Sequence, residues 1–335
     1  MNKILSSKDQ GAHYTQNAVE MPGHSASSSH QAFEQLVSRA VQLPGLVPVG
    51  IVWPCEQHAL EGAMDAAQRG IIEPVLVGDK GVIVSVAQAS GIALDKAVIV
   101  DVATPAEAAQ KATALVRDGR VKALMKGSLH TDVFMHAIVE ADSGLRTSRR
   151  ISHVFVLAVP GYEDLLFVTD AAINIFPDLD VKRDIVQNAI DLHNGLGLGA
   201  PRVAVLSAVE TVNSKIPGTV DAACLCKMAE RGQICGGVLD GPLAMDNAIS
   251  LEAAKIKKIV SPVAGRAQVL VAPDLESGNM LAKNMIFMSG ADSAGIVLGA
   301  SVPVLLTSRA NSVQARLASI AIGALYAHHL ASGQS

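Results

Sequence analysis

Aromatic residues are scarce in this 335-residue chain, at 3% of the total, although half of its residues are hydrophobic. A core of that composition must be built from Val, Ile, Leu, Ala and Met, which is typical of helices packed on a parallel sheet. The sequence contains no run of about 18 apolar residues, so we expect no membrane-spanning helix. The first residues lack the apolar segment of a secretory signal, so we do not expect secretion.

Cysteine and charge patterns narrow the function further. Cys55, Cys224, Cys226 and Cys235 form no Cys-x-x-Cys pair, and we interpret them as buried thiols of a protein in the reducing cytoplasm. The formal net charge is −4, which leaves no electrostatic footprint for nucleic acid. The histidine spacings predict no metal site. The sequence contains no Gly-x-Ser-x-Gly motif, so it gives no sign of a nucleophilic serine on a strand-to-helix turn.

Alanine-rich helical patterns alternate with short Val/Ile runs, which predicts βαβ units and an α/β fold. Thr104 and Pro105 are expected to begin one helix, as N-cap and first-turn residue. Gly195 is expected to end another helix as its C′ residue. A turn-rich link between residues 152–159 and 165–168 predicts a β-hairpin.

Four short apolar runs each end abruptly in a polar cluster. In open α/β sheets, ligands bind just beyond the carboxyl ends of such strands. We therefore predict that the four clusters form the rim of one cleft. The clusters are Lys126-Gly127-Ser128, Asp240-Gly241-Pro242, Pro273-Asp274 and Thr307-Ser308-Arg309.

The last of these clusters is predicted to bind an anion. It follows a buried strand and opens a helix, whose free N–H groups and dipole favour negative charge. Arg309 can hold phosphate with two donors, and Ser308 can add a hydroxyl. Lys126 and Gly127 repeat this logic at another strand end, where glycine would let the backbone approach a ligand closely. Helix capping with a surface arginine is the alternative interpretation.

Other polar groups are candidates for the same cleft. Arg146, Thr147, Arg149 and Arg150 form a basic group before the predicted hairpin, and a solvated domain junction is the alternative there. Carboxylates and amides follow several predicted strands, and helix capping and turn chemistry must account for some of them. These residues are Asp170, Asn174, Asp240, Asp246, Asn247 and Asp274 to Asn279, with Lys283 one turn on.

Taken together, these motifs resemble the phosphate acetyltransferase and phosphate butyryltransferase family over about residues 45–330. Several ordered segments carry the resemblance. They are Met125-Lys126-Gly127 with Thr131, Leu145-Arg146-Thr147, Ile151-Ser152-His153-Val154, Thr169-Asp170-Ala171-Ala172, Gln187-Asn188-Ala189, residues 238–248, Ser261-Pro262-Val263-Ala264-Gly265, residues 273–279 and residues 307–312.

The resemblance implies reversible acyl transfer, in which acyl-CoA and phosphate give acyl phosphate and CoA. We expect direct attack in a ternary complex, because the sequence shows no candidate nucleophile. The resemblance implies no cofactor, because coenzyme A is a substrate or product. From the charge, the apolar runs and the histidine spacings, we expect no nucleic-acid partner, no membrane partner and no metal. The resemblance further implies two doubly wound α/β domains around a cleft, isocitrate/isopropylmalate dehydrogenase-like, and a homodimer or larger assembly. The expected parts are a flexible tail over residues 1–30, domain 1 over residues 31–150 and 304–335, and an inserted domain 2 over residues 151–303.

The resemblance also implies site residues. Ser308 and Arg309 match the family's catalytic Ser-Arg pair, but Ala315 or a neighbour stands where studied acetyl members carry an Asp that is proposed to deprotonate the CoA thiol. Asp240 is the candidate base in its place, with Asp246 as a second guess. The expected phosphate- and CoA-binding residues are Lys126, Gly127, Thr131, Arg146, Thr147, Asn174, Gly241, Pro242, Asp246, Asn247, Asp274, Gly278, Asn279 and Lys283.

Two other functions stay open at this point. A metal- and NAD-dependent decarboxylating dehydrogenase of the same fold is disfavoured, because the sequence shows no metal-carboxylate cluster. Gly195-Leu196-Gly197-Leu198-Gly199 resembles a dinucleotide fingerprint but precedes a strand instead of following one. A non-catalytic binder of acyl-CoA or acyl phosphate is the third possibility.

Overall fold

A computed structural model describes residues 27–306 and 313–333, and helices and strands alternate along them as the sequence predicts. The strands are β1 (Val47–Val52), β2 (Ile72–Gly78), β3 (Val98–Asp101), β4 (Ala123–Lys126), β5 (Ser152–Ala158), β6 (Leu166–Thr169), β7 (Arg202–Leu206), β8 (Val238–Leu243), β9 (Val269–Val271), β10 (Asp292–Leu298) and β11 (Val304–Leu305). The helices are α1 (Ser27–Val41), α2 (Gln57–Gln68), α3 (Lys80–Ser90), α4 (Pro105–Arg117), α5 (Thr131–Val139), α6 (Leu179–Gly195), α7 (Pro217–Glu230), α8 (Met245–Ile249), α9 (Leu251–Ile256), α10 (Leu275–Met288) and α11 (Val313–Ala331), with a 3₁₀ turn at Ala141–Ser143. Among these helices, none combines the length and apolar character that crossing a bilayer requires.

The helix ends test the capping predictions. Thr104 is the N-cap of α4 and accepts a hydrogen bond from the N–H of Glu107, with Pro105 in the first turn, as predicted. The prediction that Gly195 ends α6 as its C′ residue is wrong, because Gly195 lies inside the last turn and Gly197 takes the left-handed conformation at φ +64°. A Cβ on Gly195 would lie 2.7 Å from the ring of Tyr326, so this glycine allows α6 to pack on α11.

The eleven strands of the described residues form one sheet, in the order β3-β2-β1-β4-β11-β10-β5-β6-β9-β7-β8. β5 and β6 form the predicted antiparallel hairpin. β10, which the sequence pattern does not predict, is antiparallel to both β11 and β5. All other neighbours are parallel. The sheet is therefore mixed: β1 to β4, β5 and β11 run one way, and β6 to β10 run the other.

This reversal separates strand ends that the sequence places around one cleft. The carboxyl ends of β4 and β11, where Lys126 and Leu306 lie, point toward one end of the strands. The carboxyl ends of β6, β9 and β8 point toward the opposite end, where Asp170, Asp274 and Asp246 lie. The described clusters at Lys126 and Asp274 therefore lie at opposite ends of the strands, because the sheet is not wholly parallel as the prediction of one rim assumes. The Thr307-Ser308-Arg309 cluster lies outside the described residues.

Hydrophobic cores cover the two faces of the sheet differently. One face carries a single buried cluster that runs from β2 to β7 beneath α1, α2, α6, α7 and α11. The other face carries two clusters, one joining β1, β4, β10 and β11 to α4 and α5, and one joining β5, β6, β7 and β9 to α8, α9 and α10. Side chains alternate between faces along a strand, so Gly295 of β10 and His153 of β5 lie on the divided face. The core on that face is thus split between β10 and β5.

The chain termini lie partly outside the described residues. α1 begins at Ser27, within the predicted tail of residues 1–30, and residues 1–26 are not described. α11 is described from Val313 onward, and residues 307–312, which precede it, are not described.

Candidate functional site

A cavity of about 550 Å³ lies where the amino end of β5 meets the carboxyl end of β6. The antiparallel hairpin brings these two ends to the same edge of the sheet. Arg146, Thr147 and Asn174, three of the predicted substrate-binding residues, line this cavity, and α6 forms another of its walls. The structure therefore unites the basic group before β5 with the polar loop after β6.

Asp170 holds the loop that lines this cavity. Its side chain is buried, and Oδ1 accepts hydrogen bonds from the backbone N–H groups of Ala172 and Ile173 at 2.9 and 3.1 Å. Oδ2 accepts from the backbone N–H and the side-chain amide of Asn174 at 3.0 and 2.5 Å. Asn174 Oδ1 accepts in turn from Arg150 Nε at 3.2 Å. The buried carboxylate therefore positions Asn174 and, through it, the Arg150 guanidinium.

The amino end of α10 carries two more of the predicted residues. Asp274 is the N-cap of α10, and its Oδ1 accepts a hydrogen bond from the N–H of Ser277 at 2.8 Å. Asp274 thus has the capping role that the sequence offers as the alternative interpretation. Lys283 is exposed on the same helix. A substrate contact at either residue stays a prediction.

Gly278 and Asn279 fasten α10 to the loop after β6. Asn279 donates its side-chain amide to the carbonyl of Ala171 at 2.9 Å. A Cβ on Gly278 would lie 2.3 Å from the carbonyl oxygen of Asp170 and 3.1 Å from Cβ of Ala272. Only glycine allows this close approach of α10 to the loop. Gly278 and Asn279 therefore hold α10 against the loop that lines the cavity.

We expect Gly278→Ala to lower the free energy of unfolding by about 2–3 kcal/mol, because the added methyl group overlaps a backbone oxygen and α10 must shift. Urea unfolding of the purified variant measures this change. Gly62→Ala is the matched control: Gly62 is also helical, its Cβ would contact Arg316 at an ordinary 3.6 Å, and alanine favours a helix by up to about 1 kcal/mol. Equal stability of the two variants would contradict the tight contact at Gly278.

Asp240, Gly241 and Pro242 lie inside β8 and not after it. β8 is an edge strand, where proline can be accommodated, and the Gly241-Pro242 peptide is cis. A Cβ on Gly241 would lie 2.8 Å from the carbonyl oxygen of Val205, so glycine permits the contact with β7. Six strand spacings separate β8 from β11, or roughly 29 Å. The sheet therefore keeps Asp240 far from Leu306.

Asp246 and Asn247, the other predicted residues of this region, begin a polar group on α8. Asn247 is buried and donates its side-chain amide to the Glu210 carboxylate. Lys257 Nζ lies 2.5 Å from Glu210 Oε1 and 3.7 Å from Asp246 Oδ2. The hydrogen bond from Lys257 lowers the pKa of Glu210. Sequence reasoning missed Glu210, although it follows the end of β7 and the strand-end rule could have found it.

The end of β4 lies beside the end of β11, because Met125 pairs with Leu305. Lys126 and Leu306 therefore leave neighbouring strands at the same edge. The predicted catalytic pair follows Leu306 closely in the chain, but its segment is outside the described residues, and its roles stay predictions. That segment contains Thr307, Ser308 and Arg309.

Local contacts explain the Lys126-Gly127 cluster in part. Lys126 Nζ donates to the carbonyls of Gly127 and Leu129, each at 3.1 Å. A Cβ on Gly127 would lie 2.4 Å from the carbonyl oxygen of Trp53. Glycine at this position therefore permits the close approach to the end of β1, and an approach to a ligand stays a prediction. Thr131 is exposed at the start of α5.

His153 is a buried residue that sequence reasoning did not select for the site. Its Nδ1 has no hydrogen-bond partner among the described residues, and its ring packs edge-on against Phe155. His153 Nε2 and the Leu306 carbonyl oxygen each lie 3.0 Å from the point where a Cβ on Gly295 would stand. Burial lowers the pKa of His153, an effect that Asp170 opposes. A neutral imidazole therefore lies near Leu306, in the division between the two cores.

We expect His153→Gln to reduce the loss of stability in mild acid. Below about pH 6.5, the ordinary pKa of histidine, the unfolded chain binds a proton that the folded chain excludes. This difference lowers the free energy of unfolding by up to about 2 kcal/mol between pH 7 and pH 5. Urea unfolding at both pH values measures it, with the exposed His136→Gln as control. The same pH dependence in H153Q and in the wild type would contradict this.

The cysteines differ from expectation. Cys55, Cys224 and Cys226 are only partly buried and Cys235 is exposed, so the prediction of four buried thiols is wrong. Burial raises the pKa of Cys55 to about 11 and that of Cys226 to about 12. Because the thiolate is the nucleophile, these two residues are poor nucleophiles at neutral pH.

Known proteins match the chain along most of its length. A family model described as "Phosphate acetyl/butaryl transferase" matches residues 103–324. A phosphate acetyltransferase of Rhizobium meliloti is 63% identical over 83% of this chain and 88% of its own. A phosphate butyryltransferase of Clostridium beijerinckii is 40% identical over 88% of this chain and 97% of its own. The crystal structure of a branched-chain phosphotransacylase from Enterococcus faecalis V583 aligns with a TM-score of 0.75 and 28% identity, over 85% of this chain and 100% of that one.

Proposed function

We propose that this chain, which belongs to the phosphate acetyl/butyryl transferase family, transfers an acyl group between coenzyme A and inorganic phosphate. The observation that carries the proposal is the high identity to a phosphate acetyltransferase over most of both chains. Acetyl is the preferred acyl group, because the identity to the butyryltransferase relative is lower. These relatives do not favour a metal- and NAD-dependent dehydrogenase.

In the proposed reaction, an oxygen of phosphate attacks the thioester carbonyl carbon of acyl-CoA. The C–S bond breaks, acyl phosphate forms, and the CoA thiolate leaves and takes up a proton. Direct attack within a ternary complex is proposed because no nucleophile is apparent in the sequence, and burial, which raises the pKa of Cys55 and Cys226, makes these two thiols poor nucleophiles. Holding both substrates together lowers the barrier through effective molarity, and each donor aimed at the developing oxyanion contributes roughly 3–4 kcal/mol.

Arg309 and Ser308 bind phosphate in this proposal, and Lys126 adds positive charge from the neighbouring strand. The place of Lys126 beside Leu306 supports this grouping. The place of Asp240 on β8 does not support its role as the base beside Arg309 within one chain. The proposal therefore assigns no residue as the base for the CoA thiol.

The proposed architecture has two lobes, isocitrate/isopropylmalate dehydrogenase-like, with the substrates between them. The lobes are residues 31–150 with 304–335, and residues 151–303. The division of the core on one face of the sheet supports two lobes, and it places β10, within residues 151–303, with the first of them. The proposal includes a cytoplasmic location, a homodimer or larger assembly, and coenzyme A as a substrate without a separate cofactor.

A thiol-release assay on the purified chain tests the function. Acetyl-, propionyl- and butyryl-CoA are each incubated with and without phosphate, free CoA is measured by a thiol reagent, and acyl phosphate is trapped with hydroxylamine. We expect phosphate-dependent release of CoA with an equal amount of acyl phosphate, fastest from acetyl-CoA. Release that does not depend on phosphate, or binding of CoA without release, would overturn the proposal.

A further inference from the structure

We propose that the cavity between the amino end of β5, the loop after β6 and α6 binds the adenosine 3′-phosphate end of coenzyme A, with Arg146 and Arg150 on the phosphate. This inference rests on the proposed function, because it takes coenzyme A as the substrate. It adds which end of coenzyme A the cavity holds and which two residues hold it.

The charges of the cavity favour a dianion. Four arginines line it, but two of them face carboxylates: Arg149 pairs with Asp191 at 3.3 Å, and Arg183 pairs with Asp184 at 3.0 Å and lies 3.6 Å from the exposed Asp180. Asp180, the other carboxylate in the lining, is thus held beside Arg183, and Arg146 and Arg150 carry the remaining positive charge. Arg146 and Arg150 form no ion pair with any described residue. The Arg150 Nε is committed to the neutral Asn174 amide oxygen, which leaves its other donors and its full charge available.

A phosphate monoester fits these two cations. It carries close to two negative charges at neutral pH, and a guanidinium matches its oxygens with two parallel donors. Each phosphorus of a phosphodiester or diphosphate group carries less negative charge than that of a monoester, so one arginine is enough to pair with it. The 3′-phosphate is the one monoester of coenzyme A.

The backbone that carries the arginines is held in place before any ligand binds. Thr147 donates its hydroxyl to the Gly299 carbonyl at 2.6 Å and accepts from the N–H of Arg149 at 3.0 Å. Arg146 forms a β-bridge with Ala300. Such preorganisation reduces the entropy that binding must supply.

The size and walls of the cavity distinguish a nucleoside phosphate from inorganic phosphate. Its volume of about 550 Å³ is that of a small-molecule pocket and leaves most of the space empty around one phosphate ion. Val139, Ile151, Ile173 and Val181 supply aliphatic wall beside the arginines. An adenine ring and ribose can cover that wall while the 3′-phosphate meets the guanidinium groups.

The cavity also lies at a suitable distance from the proposed site of acyl transfer. The N–H of Leu306 donates to the Gly295 carbonyl, and Gly295 pairs with Phe155 of β5, so Leu306 lies level with Phe155. Phe155 is four residues along the chain from Ile151, which lines the cavity. Four residues along β5 and two strand spacings across the sheet give a separation of roughly 17 Å. The diphosphate and the extended pantetheine arm of coenzyme A join two points at such a separation.

A comparison of coenzyme A with dephospho-CoA, which lacks only the 3′-phosphate, tests the assignment. Rates are measured in the direction of acetyl-CoA formation from acetyl phosphate, for the wild type and for Arg146→Gln. We expect R146Q to raise the KM for coenzyme A at least tenfold, with little change in kcat or in the KM for acetyl phosphate. The KM for dephospho-CoA should already be high in the wild type and should stay unchanged in R146Q.

Two further variants make the result specific. Arg146→Lys keeps the charge but loses the two-donor geometry, so we expect an intermediate KM for coenzyme A. Arg69→Gln, on the exposed pair with Asp65 in α2, is the control and should leave every parameter unchanged. The exposed Arg146 side chain can be replaced without opening the core.

Three outcomes would overturn the inference. They are an unchanged KM for coenzyme A in R146Q, an equal rise for coenzyme A and dephospho-CoA, and a rise confined to acetyl phosphate, which would place the acyl phosphate in the cavity. If the wild type transfers no acyl group, the proposed function fails, and calorimetric binding of the same two compounds to wild type and R146Q still decides the inference. A preference for coenzyme A that R146Q abolishes would support it.

Discussion

Replacing Arg309 by alanine is expected to lower kcat/KM for phosphate-dependent CoA release by at least about a hundredfold. In the proposed reaction the Arg309 guanidinium holds phosphate with two donors. The last residue of β11, four residues before Arg309 in the chain, pairs with Met125 just before Lys126. A hundredfold loss corresponds to about 3 kcal/mol of transition-state stabilisation. Steady-state kinetics on the purified variant, over a range of phosphate concentrations, measure the loss.

The matched control for this variant is Arg309→Lys. It keeps one positive charge but not the two parallel donors, so we expect a smaller loss, seen mostly in the KM for phosphate. The midpoint of thermal unfolding should be close to that of the wild type in both variants, which separates a catalytic effect from misfolding. Near-normal acyl phosphate formation by folded R309A would refute the role of this residue.

Asp170→Asn is expected to lower the free energy of unfolding by about 3–5 kcal/mol. The buried carboxylate accepts hydrogen bonds from three backbone N–H groups and one side-chain amide in the loop that follows it. The N–H of His153 lies 3.3 Å from the same carboxylate. Asparagine offers one acceptor oxygen and turns an NH₂ group toward donors, so several buried polar groups lose their partner.

Urea unfolding measures this loss, with Asp164→Asn as the control. Asp164 accepts a hydrogen bond from Arg202 at 3.1 Å, but its side chain is 43% exposed. An exposed ion pair contributes less than about 1 kcal/mol, so D164N should be close to the wild type. A D170N variant within about 1 kcal/mol of the wild type would show that the buried carboxylate does not hold the cavity loop.

Part of the site could be predicted from the sequence, because motifs are local. Arg146, Thr147 and Asn174 were identified from short segments, and the structure brings them into one cavity. Arg183 was not identified, since it lies 37 residues after Arg146 on a helix with no motif of its own. His153 was also missed, because a histidine within an apolar run is usually a packed strand residue.

The roles of individual glycines could not be predicted either. The sequence indicates a close approach at Gly127 but not its partner, and it indicates no such contact at Gly278. At Gly127 that partner is the Trp53 carbonyl, and at Gly278 it is the Asp170 carbonyl, 108 residues away in the chain. Such contacts depend on how distant elements pack, which no local pattern records.

The sequence by itself determined the α/β alternation, the Thr104-Pro105 helix start, the β5–β6 hairpin and the family, because periodicity, caps and motifs depend on neighbouring residues. The tertiary structure alone decided the direction of the strands. β10 enters between β11 and β5 and is antiparallel to both. Strand pairing across long loops sets which carboxyl ends lie at the same end of the sheet. It therefore places Lys126 at one end of the strands, and Asp170 and the arginine-lined cavity at the opposite end.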